Sequence, residues 1–416
     1  MATIKPDPTY IPNGASVHIG VWGVTGNACG FWSDNEKVAE FTEDVLLKGK
    51  GAGTTTIHVG GAPEIGSWGE AEVNVVESWS ACAGAYHAKV LPAVVNNSKS
   101  KFKFVFISDP QGGPGDIINE KTVNHEYANW FAQYMAKNEK PDFILVGGDL
   151  ANYGDDAALW IDDMVKGLGD QVGVIPMFCA IGNHDLVDNA LGYYKKSQQD
   201  GWLKIWHDHY FSKGGKTWPT TGPGDMGKKG LAYAFVYGNA LFIVVDSYYL
   251  YGDKQQTGCS NTLTGMLEEI DVQQLAWVEY LMNWADGQAG IKHVFMISHA
   301  PLFTEDHPNN HELLKMLNIR PKFGALLAGH RHRLELTPIA LPKGATGTSC
   351  YQIIDGTGAG GETDHVYVRI EVDDGQVTVT PIHKTATDTI AVEQGVMWTG
   401  PRTIHMPTPP TPPHQA

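Results

Sequence analysis

Residues 177–185 read MFCAIGNHD, an apolar run that ends abruptly in glycine, asparagine, histidine and aspartate. Four more apolar runs end in the same way: FKFVFI before Ser108 and Asp109, FILV before Gly147, Gly148 and Asp149, HVFMI before Ser298 and His299, and ALLA before Gly329, His330, Arg331 and His332. Ligands of open α/β sheets collect beyond the carboxyl ends of the strands. We therefore predict that the five polar clusters meet at one edge of one sheet.

The rest of the chain predicts how this sheet is embedded. From residue 102 onward, short apolar runs alternate with amphipathic stretches, which favours a layered α/β domain with helices over residues 123–137 and 272–284. Residues 1–95 contain alternating runs separated by Gly and Asn, which indicate a β-sandwich-like accessory domain. Residues 91–101 are predicted to be a linker, and the Pro-rich tail from residue 403 to be extended or disordered. The predicted domains are thus 1–95 (accessory), 96–385 (catalytic) and 386–416 (C-terminal extension).

Composition restricts the class of partner. The 416 residues carry a formal net charge of -16 at pH 7, which weighs against binding of a nucleic-acid polymer or an anionic membrane. A small phosphorylated substrate remains compatible with this charge, because bound metal ions would dominate the field at the site. The oligomeric state is left open.

Cysteines and the first residues bear on the compartment. Cys179 lies in an apolar run and is predicted to be a core residue, whereas Cys29, Cys82, Cys259 and Cys350 could form bridges in an oxidising compartment. The start, MATIKPDPTY, lacks the features of a signal peptide, and no apolar stretch is long enough to span a membrane. The sequence therefore leaves the localisation unknown: a soluble protein, either cytoplasmic or secreted with the signal removed, fits both observations.

The side chains of the five clusters are typical of a metal centre. Taken singly, an Asp at a strand end is more often a cap or a turn residue, and a lone His is more often structural. GNHD is the most specific motif, and in GHRH the two histidines point the same way if the segment is extended. Mixed carboxylate, amide and imidazole donors without thiolate suit Mn, Fe, Zn or Co. Together the motifs predict a centre for two divalent or trivalent metal ions.

The motifs Asp109, GGD ending at Asp149, GNHD at 182–185, ISHAP around His299 and GHRH at 329–332 resemble the signature of the calcineurin-like metallophosphoesterases. The resemblance covers roughly residues 100–385. It implies a two-sheet αββα sandwich in the α/β class, here preceded by the all-β domain, and a metal-dependent phosphoric ester hydrolase.

The resemblance also implies the ligands of the two ions. One ion would be bound by Asp109, His332 and Gln111, the second by Asn183, His299 and His330, with Asp149 bridging both. Two carboxylates against two divalent ions leave the centre net positive. It would therefore attract a phosphate dianion, while a metal-bridging hydroxide attacks phosphorus in line.

In the family, the histidine at the position of His184 assists the leaving oxygen, so we predict that His184 is the general acid. Asp185 would raise the basicity of His184 or hold its tautomer if the two side chains meet. The predicted function is that of a phosphatase. Two alternatives stay open: a phosphodiesterase of the cyclic-nucleotide or glycerophosphodiester type on the same centre, and a catalytically weak binding protein that uses the N-terminal domain.

Two positions depart from common family patterns. Many members have Asp-x-His in the first motif, whereas here Gln111 follows Asp109 and Pro110, as in a subgroup with Asp-Pro-Gln. Gln111 would either ligate weakly through its oxygen or leave that metal with one more open position. Purple acid phosphatases are related, but the position of their iron-binding tyrosine is Asn152 here, with Tyr153 one place later. A tyrosinate iron centre is therefore not expected.

Two further groups are candidates for the substrate pocket. His307 and His311 follow the His299 loop closely and are predicted to contact substrate. The segment from residue 186 to 230 is rich in aromatic residues and could form either a lid over the substrate or a satellite core: Tyr193, Tyr194, Trp202, Trp206, His207, His209, Tyr210 and Trp218.

Overall fold

The computed structural model describes residues 3–22, 29–42, 45–61, 68–112, 123–187, 196–248, 268–303, 307–356, 365–384 and 390–405. All statements below concern these residues. The predicted Pro-rich tail is described only up to residue 405, and Cys259, Tyr193 and Tyr194 lie outside the described residues.

The N-terminal region is built from β-strands, as predicted. Its sheets have the orders β2-β9-β8-β5, β3-β7-β6 and β1-β4. The strands are β1 Thr3–Lys5, β2 Thr9–Pro12, β3 Ser16–Val17, β4 Gly20–Trp22, β5 Cys29–Ser33, β6 Ala39–Phe41, β7 Leu47–Gly49, β8 Gly53–Gly61 and β9 Trp68–Val76. Ile11, Val17, Leu47 and Ile57 are fully buried in one apolar cluster, because alternate residues of these strands face inward. Helix α1 (Trp79–Ala85) follows.

The first sheet of the α/β region has the order β13-β12-β11-β21-β22-β23, with β24 also pairing with β22. Its strands are β11 Lys101–Ile107, β12 Phe143–Val146, β13 Met177–Cys179, β21 His365–Asp373, β22 Gln376–Lys384, β23 Ile390–Val392 and β24 Val396–Thr399. Strands β11, β12 and β13 are parallel, and β21 joins β11 antiparallel. Because β23 and β24 complete this sheet, the predicted C-terminal extension contributes to the α/β region rather than standing apart.

The second sheet has the order β10-β14-β15-β16-β17-β20-β18. Its strands are β10 Ala93–Asn96, β14 Tyr233–Tyr237, β15 Ala240–Val244, β16 His293–Ile297, β17 Phe323–Ala328, β18 Glu335–Ile339 and β20 Cys350–Ile354. Strand β10 pairs parallel with β14. The prediction that residues 91–101 form a linker is therefore wrong: the apolar residues Ala93, Val94 and Val95 add an edge strand to the sheet. A small ladder of β19 (Thr346–Gly347) and β25 (Ile404–His405) lies outside it.

The two sheets pack face to face through aromatic side chains. The ring centroid of Phe104 on β11 lies 5.2 Å from that of Phe242 on β15 and 5.4 Å from that of Phe295 on β16. Helices cover the outer faces: α2 His125–Tyr134, α3 Ala157–Leu168, α4 Lys196–His209, α5 Gly224–Lys228, α6 Val272–Gly287 and α7 Pro308–Asn318. The result is the two-sheet sandwich with flanking helices that the family resemblance implied.

Both predicted helices are confirmed, and side chains at their first residues explain where they begin. The Oδ1 atom of Asn124 accepts a hydrogen bond from the backbone N–H of Tyr127 at the start of α2. Helix α2 continues as a π-helical turn, Met135–Glu139. Asp271 caps α6 by accepting from the backbone N–H of Gln274.

Candidate metal centre

The predicted metal ligands sit immediately after the strand ends of both sheets. Asp109, Asp149 and Asn183 follow β11, β12 and β13 of the first sheet, whereas His299 and His330 follow β16 and β17 of the second. The prediction of one edge of one sheet is wrong, because the two sheets pack face to face and each contributes part of the cluster.

The backbone is strained at four of the predicted metal ligands. Asp109, Asp149, His330 and His332 have positive φ angles of 53°, 55°, 70° and 48°. Residues with a Cβ atom rarely adopt this conformation, at a cost of about 1–3 kcal/mol each, and such residues cluster at functional sites. The surrounding structure therefore holds these side chains in place against a local preference.

Glycines allow the carboxylates to approach the backbone closely. A Cβ atom at Gly182 would lie 2.1 Å from Oδ1 of Asp149, and one at Gly329 would lie 2.3 Å from Oδ2 of Asp109. Any larger residue at either position would displace a carboxylate, which explains the glycines in the GNHD and GHRH motifs.

Three acidic and imidazole side chains converge in the interior. Asp109, Asp149 and His299 are buried, and each offers one ligand atom such that these atoms lie within 4.8 Å of one another. Nε2 of His299 lies 3.1 Å from Oδ2 of Asp149 and 3.8 Å from Oδ1 of Asp109. Two buried carboxylates are costly unless positive charge compensates them, so this group fits a cation.

A second group adjoins the first through Asn183. Its Oδ1 atom lies 3.0 Å from Nε2 of His299 and 3.0 Å from Nδ1 of His330. Adjacent ligands of one ion with bonds of about 2.0–2.1 Å are about 3 Å apart. The spacing of the three donor atoms therefore fits a metal ion bound by the side chains of Asn183, His299 and His330.

His332 and Gln111 lie on the other side of Asp109. Nε2 of His332 lies 3.3 Å from Oδ1 of Asp109 and 3.2 Å from the amide nitrogen of Gln111. Oε1 of Gln111 is buried and has no hydrogen-bond partner among the described residues. A buried carbonyl oxygen without a donor is costly, and a metal ion at Asp109 and His332 would satisfy it.

Replacement of Gln111 by Ala is accordingly expected to weaken the metal bound at Asp109 and His332 by roughly tenfold. Metal content and competition with a chelator would measure this, with Gln198→Ala in α4 as a control, because the Gln198 amide binds Asp155, outside the predicted ligand set. Unchanged occupancy and affinity would remove Gln111 from the ligand set.

His184 and Asp185 occupy a 3₁₀ turn, His184–Leu186, next to Asn183. The carboxylate of Asp185 accepts hydrogen bonds from the backbone N–H groups of Asp149, Leu150 and Gly182. Nδ1 of His184 lies 3.1 Å from the carbonyl oxygen of Asn152. The partner of Nδ1 is thus a backbone carbonyl and not Asp185. Asp185 instead fixes the loop that carries Asp149.

A family model described as calcineurin-like phosphoesterase matches residues 102–334, more than half of the 416 residues. The chain belongs to the calcineurin-like phosphoesterase family. Its family supports a hydrolase of phosphoesters in general. No match was found among curated proteins.

This calcineurin-like phosphoesterase is similar to several solved structures. A dimetal phosphatase from Danio rerio aligns with a TM-score of 0.49 at 13% identity, over 71% of this chain and 99% of that chain. A purple acid phosphatase, PPD1, from yellow lupin (Lupinus luteus) seeds aligns with a TM-score of 0.48 at 12% identity, over 93% and 68%. Vps29 from Chaetomium thermophilum aligns with a TM-score of 0.33 at 10% identity, over 72% and 97%.

Two residues of the site were missed by sequence reasoning. Oε1 of Glu268 lies 2.9 Å from Nε2 of His330, and the phenol oxygen of Tyr248 lies 3.3 Å from Nδ1 of His330. Tyr248 lies in the segment FIVVDSYY, in which polar residues follow the apolar run of β15. The pattern that indicated the other five clusters could therefore have indicated Tyr248. Glu268 has no comparable motif.

The candidate pocket residues of this calcineurin-like phosphoesterase divide into two groups. His307 precedes α7 and lowers the pKa of Glu268 electrostatically, after the larger effect of the hydrogen bond from His330. His311 is exposed in the first turn of α7, and in the described part of the chain its side chain makes no hydrogen bond or ion pair. The substrate role of both histidines stays a prediction.

The described aromatic residues of this segment belong to the main hydrophobic core, so they form neither a lid nor a separate satellite core. Trp202, Trp206, Tyr210 and Trp218 are at most 3% exposed, and the ring centroids of Trp206 and Trp218 are 4.7 Å apart. The other two predicted residues, His207 and His209, pair with Asp208 and Asp162 on the surface.

Three of the described cysteines are buried, and the described helices do not suit a membrane crossing. Cys179 is buried, as predicted, and Cys82 and Cys350 are buried free thiols. Among the described residues, no helix combines the length and apolar character that a membrane crossing requires.

Charge at the centre makes metal binding dependent on pH. Burial alone would lower the pKa of His299, but the carboxylates of Asp149 and Asp109 raise it to about 10. Burial raises the pKa of Asp149, yet His299 and His184 together hold it well below its usual range. In the metal-free centre His299 is therefore protonated near neutral pH. A metal ion must displace this proton in order to bind the imidazole.

We expect metal binding at pH 7–8 to release about one proton, and affinity to increase as the pH rises toward about 10. In the metal-free protein, the raised pKa means that the contribution of His299 to stability is complete below about pH 6.5 and is lost as the pH approaches 10. Calorimetric titration in buffers with different ionisation enthalpies measures the proton release. A binding enthalpy independent of the buffer would contradict the prediction.

Proposed function

We propose that this calcineurin-like phosphoesterase is a phosphatase with two metal ions, acting on small phosphorylated substrates. The observation that carries the proposal is the placement of Oδ1 of Asn183 at 3.0 Å from both Nε2 of His299 and Nδ1 of His330, beside two buried carboxylates. One ion is assigned to Asp109, Gln111 and His332, the other to Asn183, His299 and His330, and Asp149 would contribute a ligand to both.

The two ions, of Mn, Fe or Zn, would supply positive charge for the phosphoryl oxygens and lower the pKa of an attacking water. At this centre the chain itself contributes few negative charges that would repel a phosphate group. Asp109 and Asp149 provide two carboxylates against at least four positive charges, so a phosphate dianion is attracted despite the acidic surface. Burial of both carboxylates strengthens these interactions by excluding water.

His184 is assigned to the leaving group. Its Nδ1 donates to the carbonyl oxygen of Asn152, which leaves Nε2 as the atom that can carry a transferable proton. Its backbone N–H donates to Oδ1 of Asp149 at 2.7 Å, so the backbone that carries His184 is fixed to that carboxylate. The bond from Nδ1 to the carbonyl oxygen of Asn152 fixes the ring, and with it the direction of Nε2. In this proposal Asp185 supports catalysis only through the backbone that it holds.

A substrate panel on metal-reconstituted protein tests the proposal. The panel comprises phosphomonoesters, diesters, cyclic nucleotides and phosphoproteins, assayed with added Mn, Fe or Zn. We expect the highest kcat/KM on a small monoester. Preference for a diester would instead favour a phosphodiesterase on the same centre, and metal-loaded protein without turnover would favour a binding protein.

A further inference from the structure

The turn before α6 connects the candidate metal centre with the N-terminal β region. Oε1 of Glu268 lies 2.9 Å from Nε2 of His330. The next residue, Glu269, is fully buried, and its Oε1 lies 2.5 Å from Nδ1 of His18, which lies between β3 and β4. Val272, at the start of α6, is buried in the apolar cluster of the N-terminal region. Consecutive residues of one turn therefore face the metal centre and the accessory region.

Two asparagines in the first turn of α7, Asn309 and Asn310, also bind this turn. Asn309 donates its backbone N–H to Oε2 of Glu269 at 3.1 Å and its side-chain amide to the carbonyl oxygen of Ile270 at 2.9 Å. Its Oδ1 accepts from the backbone N–H of His18 at 2.8 Å. Asn310 donates its amide to the carbonyl oxygen of Glu268 at 2.7 Å. His18, Glu269 and Asn309 thus form a closed hydrogen-bonded group that holds the backbone of Glu268.

The contact between Glu268 and His330 has a specific chemical effect. Nδ1 of His330 faces Oδ1 of Asn183, whereas Nε2 faces the carboxylate. A carboxylate on one ring nitrogen keeps the proton there, so that the lone pair of the other nitrogen is free for a metal ion, and it fixes the ring orientation. Loss of such a partner typically weakens metal binding by about 10- to 100-fold.

We propose that the N-terminal β region positions His330 for metal binding, through His18, Glu269 and Glu268. This inference rests on the proposed function, because it assumes that His330 is a metal ligand. His18 is a positioning residue: it is separated from His330 by the turn and acts on it by satisfying the buried carboxylate of Glu269. Without His18 that carboxylate loses a partner in a site closed to water, and the turn that carries Glu268 loses its attachment to the accessory region.

The test compares metal binding by variants of the full chain. We expect Glu268→Gln to bind the metal at Asn183, His299 and His330 about 10- to 100-fold more weakly, and His18→Ala roughly 2- to 30-fold more weakly. The metal at Asp109 and His332 should keep its affinity in both variants. Mn titration in competition with a chelator resolves the two sites, and kcat and KM are measured on the best monoester.

Matched variants separate positioning from general destabilisation. His18→Asn places an amide donor near the position of Nδ1 and should restore most of the affinity, while Glu269→Gln tests the same link with a side chain of equal size. His58→Ala is the control: Nε2 of His58 pairs with Oδ1 of Asp34 at 2.9 Å on the same N-terminal region, and its partners among the described residues do not belong to the turn. Its metal affinity should equal that of the unmodified protein.

Wild-type affinity in both His18→Ala and Glu269→Gln overturns the proposal. So does an equal loss in His58→Ala, since the effect would then be unspecific. A protein that binds no metal even without substitutions would refute the proposed function itself, and that result is distinct from either of these.

Discussion

Asp149→Asn is expected to reduce kcat by at least about three orders of magnitude, because Asp149 is assigned to the position between the two ions. Removing its charge removes part of the metal-dependent stabilisation of the transition state, which is worth several kcal/mol, and each 1.36 kcal/mol corresponds to about tenfold in rate. Metal content should fall in parallel. The measurements are turnover of the best substrate at saturating metal, and bound metal per chain.

Asp208→Asn on the exposed side of α4 serves as the control and should leave both quantities unchanged, because among the described residues the Asp208 carboxylate pairs with Lys204 and His207, away from the centre. Thermal unfolding of the two variants shows whether the fold is retained. Full metal content with normal turnover in Asp149→Asn would show that Asp149 is not a ligand.

His184→Ala is expected to lower kcat/KM by about 10²- to 10⁴-fold on an alkyl phosphate, the range of general acid catalysis. The loss should be much smaller on a nitrophenyl phosphate, whose leaving group is stable without protonation. The physical reason is that Nε2 is the atom left for proton transfer once Nδ1 is bound to the carbonyl of Asn152.

Equal losses on both esters would contradict the assignment of His184 as the general acid and indicate that its ring stabilises charge or braces the loop. The backbone bond from His184 to Asp149 survives in the Ala variant, so its metal content should remain that of the unmodified protein. A loss of metal would show that the side chain acts on the centre rather than on the leaving group.

The sequence predicted the parts of the fold that depend on local pattern. Strands β12 and β13 and helix α6 follow from apolar runs, breakers and the capping residue Asp271, which act over a few neighbouring residues. The apolar runs alone did not show which cluster belongs to which sheet, because that depends on pairing between distant segments, such as β11 with β12 in one sheet and β15 with β16 in the other. The wrongly predicted linker shows the same limit, since β10 is a strand only through its pairing with β14.

Candidate site residues show a similar division. Asp109, Asp149, Asn183, His299 and His330 follow recognisable strands and do converge. Glu268 could not be found from pattern, because its place beside His330 is created by Asn310, Glu269 and His18. Whether Asp185 meets His184 could not be judged from sequence either, because the partners of its carboxylate are three backbone N–H groups brought together by the fold.

Division of the ligand residues between two sheets has a consequence for the order of folding. Under the proposed assignment neither sheet alone holds the donors of either ion, since Asp109 is grouped with His332 and Asn183 with His299 and His330. Metal ions would then bind only after the sheets have packed together, and they would stabilise the folded chain over its precursors. A chelator would accordingly weaken the packing of the two sheets against each other rather than a single loop.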